Sequence, residues 1–458
     1  MAWWLMTIWL GCQGTPTAPP EQGEQVERSQ KRRGRKGNAK ARAKAKAKAN
    51  AKATQKASDA EATPKGKWFR APERHDVDPE AADDEALIAA LEAIGYADGT
   101  VDAGAVDVMS ISAPDARTEG VYLYSSGHAP EALLVDASGA VLHTWRKSYA
   151  AAFPDNALKP NGYNKAWGTK AWRRVALRPD GGLVAIYAGF GIVALDRTSE
   201  VLWANPLRVH HDLVLEEDGS VWTLDRVVHV DEAWADYPIV EDRILHLSVN
   251  GEVLTTIELV EAFVGTPYEA LVRKSMLKND VFHTNTLVRL DGSSEARNPA
   301  FKEGHFLISL RSSSLLAVVD PEAGKVTWAA KGAFKTQHDP QQLSNGSLVL
   351  FDNTGAGRKS SRLLVLDPMT LGIEREWTAP DLYSHTLGAV QVLPNDHVLL
   401  TVSEPGFALE VLPDDRVAWS FSSPHRAGEN KDLVAALFDV TLWPREAVDA
   451  WLGEPPTP

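Results

Sequence analysis

From about residue 106 onward, apolar residues come in short alternating runs broken by polar turns rich in Asp, Asn and Gly. Runs of this kind read as strands, and those turn residues close tight hairpins. The unit then repeats. Its second half reads ALLVDASGAVLHTW at 132–145, IVALDRTSEVLWA at 192–204 and ILHLSVNGEVLTTI at 244–257. LAVVDPEAGKVTWA at 316–329, LLVLDPMTLGIEREW at 363–377 and ALEVLPDDRVAWSF at 408–421 make six copies. Asp136, Asp196, Asn250, Asp320, Asp367 and Asp414 occupy the same turn, 47–70 residues apart. Four short antiparallel strands at that spacing form one propeller blade. The expected fold is therefore all-β, a six-bladed β-propeller of four-stranded antiparallel blades over 106–458. Trp145, Trp203, Trp328, Trp377 and Trp419 fall on the fourth strands and are expected to pack between blades. Blade one shows only three strands. ALFDVTLW at 436–443 is the expected donor of the fourth, with a closing helix over Arg445–Leu452.

Before residue 106 the pattern changes. Leu87, Ile88, Leu91 and Ile94 are spaced as one helix face within Asp84–Tyr96, so 67–105 is expected to be a short helical lead-in. Residues 12–66 hold almost no large apolar side chains and are expected to form a disordered Lys/Ala-rich linker. Residues 1–11 are apolar but too short to span a bilayer, which suits a signal peptide. Leu10-Gly11-Cys12 resembles the end of a lipobox, with Cys12 as the lipidated residue. Cys12 is the single cysteine, so an intrachain disulfide is excluded.

Charge divides the chain. The net formal charge is −13, yet Arg28 to Lys56 holds thirteen Lys or Arg and no acid, leaving −13 − 13 = −26 elsewhere. The acidic body opposes phosphate, so no nucleic-acid partner is expected. The basic arm, 28–56, suits an anionic envelope polymer. Together these features suggest an exported protein of the periplasm, outer membrane or cell surface, held at the membrane by a lipid anchor.

Histidines recur in phase with the repeat. His211 lies eight residues before Gly219 and His338 eight before Gly346, while His283 lies nine before Gly292. First strands of propeller blades line the channel, so these three converge at one mouth. Asn285 shares a strand face with His283 if the strand is regular. Arg226, Arg311 and Asn353 each lie seven residues beyond a turn glycine and face the same mouth as ligand-binding groups, with His210 beside them. Arg173 holds the matching place in blade two. Asp212 and Asp339 follow their histidines and would face away in a regular strand. Three chemistries remain open on these residues: a tri-histidine metal site, a nucleophilic histidine beside anion-binding groups, and structural caps.

Several motifs in order resemble the bacterial arylsulfate sulfotransferase (arylsulfotransferase) family over about 117–445. They are HHD (210–212), DVFHTNT (280–286), HFLISLRSSSLLAVVDPEAGKVTW (305–328), FKTQHD with LFDN (334–353) and YSHTLGAVQVLPND (383–396). The resemblance implies a six-bladed propeller enzyme. It would move a sulfuryl group from an aryl sulfate donor to a phenolic acceptor, independently of PAPS, through a sulfohistidine. No cofactor or resident metal is expected. By motif, His338 would be the nucleophile. His283 and Asn285 would hold the sulfuryl oxygens, Arg311 would offset their charge, and His211 would complete the pocket. The alternatives are a non-catalytic propeller lipoprotein that binds an envelope ligand or protein, and a His-metal hydrolase.

Expressed in a bacterial host, the mature protein is expected to begin at a lipid-modified Cys12. Intact mass and terminal-peptide sequencing check this; a mature N-terminus elsewhere contradicts it.

Overall fold

The computed structural model describes residues 101–102, 109–157, 167–229, 234, 239–274, 280–357, 359–428 and 430–453. The apolar run 1–11, Cys12, the basic arm 28–56 and the helix expected at Asp84–Tyr96 lie outside the described residues.

Six antiparallel sheets form the body. Their inner strands are Leu437–Trp443, Arg174–Leu177, His210–Leu215, Thr284–Arg289, His338–Gln342 and Ala389–Val392, for blades one to six. Each inner strand packs on the next, and Leu437–Trp443 touches both Ala389–Val392 and Arg174–Leu177, closing the ring. The molecule is a six-bladed propeller. Leu437–Trp443 completes blade one by pairing with Val121–Ser126, so that Val121 lies opposite Trp443. Arg445–Leu452 follows as a helix. Blade six departs from the four-strand expectation, because Met109–Ile111 adds a fifth strand to the outer edge of Val417–Ser422.

Burial explains the hydrophobic pattern. Second and third strands lie between neighbouring sheets, so Leu183–Tyr187, Gly191–Leu195 and Leu348–Asp352 are buried throughout. Outer strands are less buried, most of all Val253–Glu258, which exposes five of its six residues. The outer-strand tryptophans join blades. Trp145 Nε1 donates to the Gly181 carbonyl of blade two (3.0 Å) and Trp377 Nε1 to the Asp415 carbonyl of blade six (3.1 Å). Trp419 stacks on Tyr122 of blade one at 4.0 Å and 2°. Trp203 covers Gly251, where φ is +81° and a Cβ would come within 2.4 Å of the indole. The recurrent turn aspartates work locally. Asp136 Oδ1 accepts from the Ser138 and Ala140 amides, and Asp196 Oδ1 from those of Thr198 and Glu200.

Inner strands present an unpaired edge to the channel, and side chains of the neighbouring blade satisfy it. Asp212 of blade three accepts from the Leu287 amide of blade four (2.9 Å). Asp339 of blade five accepts from the Val390 amide of blade six (2.9 Å). Gln391 and Leu442 exchange two bonds between blades six and one. Arg174 of blade two lies 2.8 Å from Asp212, 3.0 Å from Asp439 and 3.7 Å from Asp339. Burial pushes the Asp212 carboxyl up to about 6 against the pull of Arg174, with the Asp339 charge adding to the rise.

Removing the closing strand by ending the chain at Gly428 is expected to abolish the cooperative unfolding transition. A truncated chain with the full-length denaturant midpoint would show that the ring does not depend on that strand.

Candidate functional site

The site follows from two topological facts. Inner strands start at one face of the propeller, and the loops between second and third strands return to that face. His211, His283 and His338 come from the first position; Arg226, Arg311 and Asn353 come from the second. Regular alternation does not orient them, because all three inner strands bulge. The pairing register shifts between His210 and Leu213, between Thr284 and Thr286, and between His338 and Gln341. Left-handed backbone marks the bulges of blades three and five, with φ 55° at His211 and 50° at Asp339; in blade four φ is 46° at His283, just before the strand and outside its bulge at Asn285. In blades three and four the histidine itself takes this conformation. In blade five the next residue does, and His338 keeps its pairing with Phe351.

The structure joins His210, His211, His283, Asn285, His338, Arg226, Arg311 and Asn353 in one connected cluster. The His211 and His283 rings meet edge-on at 5.2 Å. His210 Nδ1 and His211 Nδ1 share a hydrogen bond of 2.7 Å. His210 Nε2 lies 3.2 Å from Asp242 Oδ1, within ion-pair range but out of line for a hydrogen bond. Arg226 Nη2 is 3.4 Å from the same oxygen, and Asp242 Oδ2 accepts from the Thr284 amide. His283 is held by Asp280, whose two oxygens meet its Nδ1 (2.5 Å) and its amide (3.1 Å). Asp280 is pinned by a parallel bridge to Val240. Asn285 Nδ2 donates to the Gln337 carbonyl at 2.7 Å. His338 Nδ1 lies 2.7 Å from Asn353 Oδ1 and 3.1 Å from the Thr336 carbonyl.

Burial and nearby positive charge keep His338, His211 and His210 neutral. His338 is held well below its ordinary value by desolvation, then by Arg311; the Asn353 bond pulls the other way, and Arg173 and His283 add smaller lowering effects. His211 is lowered by desolvation, then by His210, His283, Arg173 and Arg226. Burial lowers His210 to about 4, with Arg226 adding, against the attraction of Asp242. Burial raises the Asp280 carboxyl, but His283 outweighs it and leaves the pKa below the usual range.

Four further residues belong to this cluster. Arg173 holds the blade-two position of the repeat, so its signal was present in the sequence. Asp280 sits three residues before His283, inside the DVFHTNT motif. Gln337, beside His338, offers its backbone carbonyl to Asn285. Asp242 lies on a third strand, Ile239–Leu247, and nothing in the repeat pattern marks it.

Among the described residues, one set of His and carboxylate ligand atoms lies within 4.8 Å of one another: His128, Glu131 and His425. His211, His283 and His338 form no such set. The His128 and His425 rings stack at 3.5 Å and 4°. Their nitrogen lone pairs therefore lie in parallel planes, and one ion about 2.1 Å from each nitrogen cannot sit in both. Several of their polar atoms are instead engaged locally. His128 Nε2 pairs with Glu131, Arg146 pairs with Glu131, and Tyr124 Oη lies 3.0 Å from His425 Nε2.

The family model described as Arylsulfotransferase (ASST) matches residues 175–424, more than half of the chain. The chain belongs to the arylsulfotransferase family. The match runs from blade two through blade six and takes in every cluster residue except Arg173. No curated protein matches the chain. Among solved structures, a Bacteroides caccae protein of unknown function is similar at 13% identity and a TM-score of 0.43, over 70% of this chain and 98% of that one. A streptogramin B lyase is similar at 11% identity and 0.41, over 73% and 97%. Virginiamycin B lyase from Staphylococcus aureus is similar at 10% identity and 0.34, over 55% and 69%.

The neutral histidines set a direction for stability. Unfolding lets His338 take up a proton below its ordinary pKa of about 6.5, whereas the folded chain does not bind it there. Folded protein thus binds fewer protons, and His338 costs stability as pH falls through 6.5. The stability difference between wild type and His338→Gln is expected to move in favour of the variant between pH 7.5 and 5.5. Urea midpoints check this; a pH-independent difference would mean that His338 is free to protonate in the fold.

Proposed function

We propose that the protein transfers a sulfuryl group from an aryl sulfate to a phenol through a covalent sulfohistidine at His338, without PAPS. Family membership supports an arylsulfotransferase function in general. The observation that carries the finer reading is a buried, neutral His338 whose Nδ1 is tied back to Asn353, which leaves Nε2 as its nucleophilic atom. In the first half-reaction, Nε2 attacks sulfur, an N–S bond forms, the aryl S–O bond breaks, and phenolate leaves. In the second, the acceptor phenol oxygen attacks sulfur, the N–S bond breaks and returns the electron pair to Nε2, and the phenol's proton passes to solvent, which in turn protonates the departed phenolate.

The other roles follow from chemistry and position. Arg311, with Arg173, offsets charge on the sulfuryl oxygens, as fixed cations do where charge develops. His283 and Asn285 orient those oxygens, and His211 completes the wall. Arg226 and His210 meet the substrate side of the pocket while sharing Asp242. Phenolate is a stable leaving group, and neutral imidazole is nucleophilic near neutral pH. Export and lipid anchoring through Cys12 remain part of this proposal, as does contact of residues 28–56 with an anionic envelope polymer.

A covalent histidine requires ping-pong kinetics. Mixed with an aryl sulfate and no acceptor, the enzyme is expected to gain one sulfuryl mass on the peptide carrying Gln337-His338-Asp339. Phenol should remove it. His338→Ala is expected to abolish phenol release. Arg311→Ala should slow it on the order of 10²–10³-fold, by analogy with a lost oxyanion donor. Wild-type transfer by His338→Ala, or activity lost to a chelator, would sink the proposal.

A further inference from the structure

We infer that Asn353 is a positioning residue that locks His338 in one tautomer, anchored by the backbone of Ser384 and Leu387. This rests on His338 being the nucleophile. The sequence marked Asn353 as a substrate contact and left YSHTLG, 383–388, without a role; the geometry joins the two.

Amide orientation decides the tautomer. Asn353 Nδ2 lies 2.9 Å from the Ser384 carbonyl and 2.6 Å from the Leu387 carbonyl. Carbonyl oxygens only accept, so both amide hydrogens are used there, and the reverse orientation would press three oxygens together. Oδ1 is therefore the atom facing His338 Nδ1 at 2.7 Å. An amide oxygen also only accepts, so Nδ1 carries the proton. The Thr336 carbonyl near the same nitrogen, at 3.1 Å, requires the same answer. Nε2 is left with its lone pair.

The anchor is itself fixed. Ser361 Oγ donates to the Asn353 carbonyl at 2.7 Å and accepts from the Ser384 amide at 3.1 Å. Ser384 Oγ donates to the Thr386 carbonyl at 2.5 Å. Leu387 adopts φ 63°, which turns its carbonyl back toward blade five. Gly388 lets the chain pass Phe351, where a Cβ would come within 2.3 Å of the ring. Asn353 is fully buried, so its contacts are internal.

The residue type matters as much as the contact. A carboxylate here would also hold Nδ1–H, but it would stabilise imidazolium and repel an incoming sulfate ester. The amide orients the ring without adding charge. Its effect is on the population of attacking histidine rather than on donor binding.

Histidine ¹⁵N-labelled protein, read by long-range ¹H–¹⁵N NMR without donor, tests this directly, with His338→Gln identifying the signal. Wild type is expected to show protonated Nδ1 and bare Nε2. Asn353→Ala should give mixed tautomers and lower kcat roughly 10–100-fold at nearly constant donor KM, the range seen for orienting partners of metal-bound histidines. Asn353→Asp should move the acid limb of kcat/KM upward in pH. If Asn353→Ala does not fold, the wild-type spectrum and Asn353→Asp still decide. An Nε2–H tautomer in wild type, or an unchanged pH profile in Asn353→Asp, would overturn the inference. Because the tautomer is read without turnover, a locked ring in a protein that forms no sulfuryl adduct would refute the proposed function and leave the clamp standing.

Discussion

A propeller must satisfy the inner edge of its blades, and here carboxylates and one amide of neighbouring blades do so. Each first strand turns its unpaired backbone edge toward the channel. Asp212 and Asp339 reach across to amides of the following blades, and Arg174 ties them to Asp439 across the channel. Buried charges of this kind are costly to remove singly, because each leaves the others uncompensated. The network fixes the spacing of blades one, two, three and five at the axis. The histidines sit directly on the residues so fixed: His211 adjoins Asp212, and His338 adjoins Asp339.

That adjacency accounts for the HHD and QHD motifs. The aspartate serves the ring and the histidine serves the pocket, so two neighbouring side chains must leave the strand in different directions. A regular strand would turn them to opposite faces of its own sheet. The bulges and left-handed residues at 211 and 339 instead send one upward to the mouth and one inward to the channel. The local strain is balanced by hydrogen bonds that only this geometry allows.

Much of the architecture could be read from the chain. Five turn aspartates with Asn250 counted six blades, because the same hairpin chemistry recurs with each unit, and five fourth-strand tryptophans supported the count. The shortage of strands in blade one pointed to Leu437–Trp443, because an open ring leaves an edge unpaired. Site positions were legible for the same reason, since repeat phase maps to channel depth. What stayed hidden was non-periodic. The fifth strand, Met109–Ile111, has three residues and no partner signal in its own sequence. Asp242 lies on a third strand whose matching positions in other blades are not acidic. The bulge at Asn285, between Thr284 and Thr286, depends on backbone packing that spacing alone does not encode.

The seam between Val121 and Trp443 has a kinetic side. Blades two to five are each built from continuous sequence, so their hairpins can form while the chain is still incomplete. Blade one cannot, since its inner strand, Leu437–Trp443, lies more than 300 residues after the strand it pairs with. Closing a loop that long costs entropy before any contact repays it, so this pairing is expected to form last. Until it forms, the channel has a missing stave, and Arg174 lacks Asp439. The pocket-bearing blades thus take shape early but gain their final spacing only when the last strand arrives.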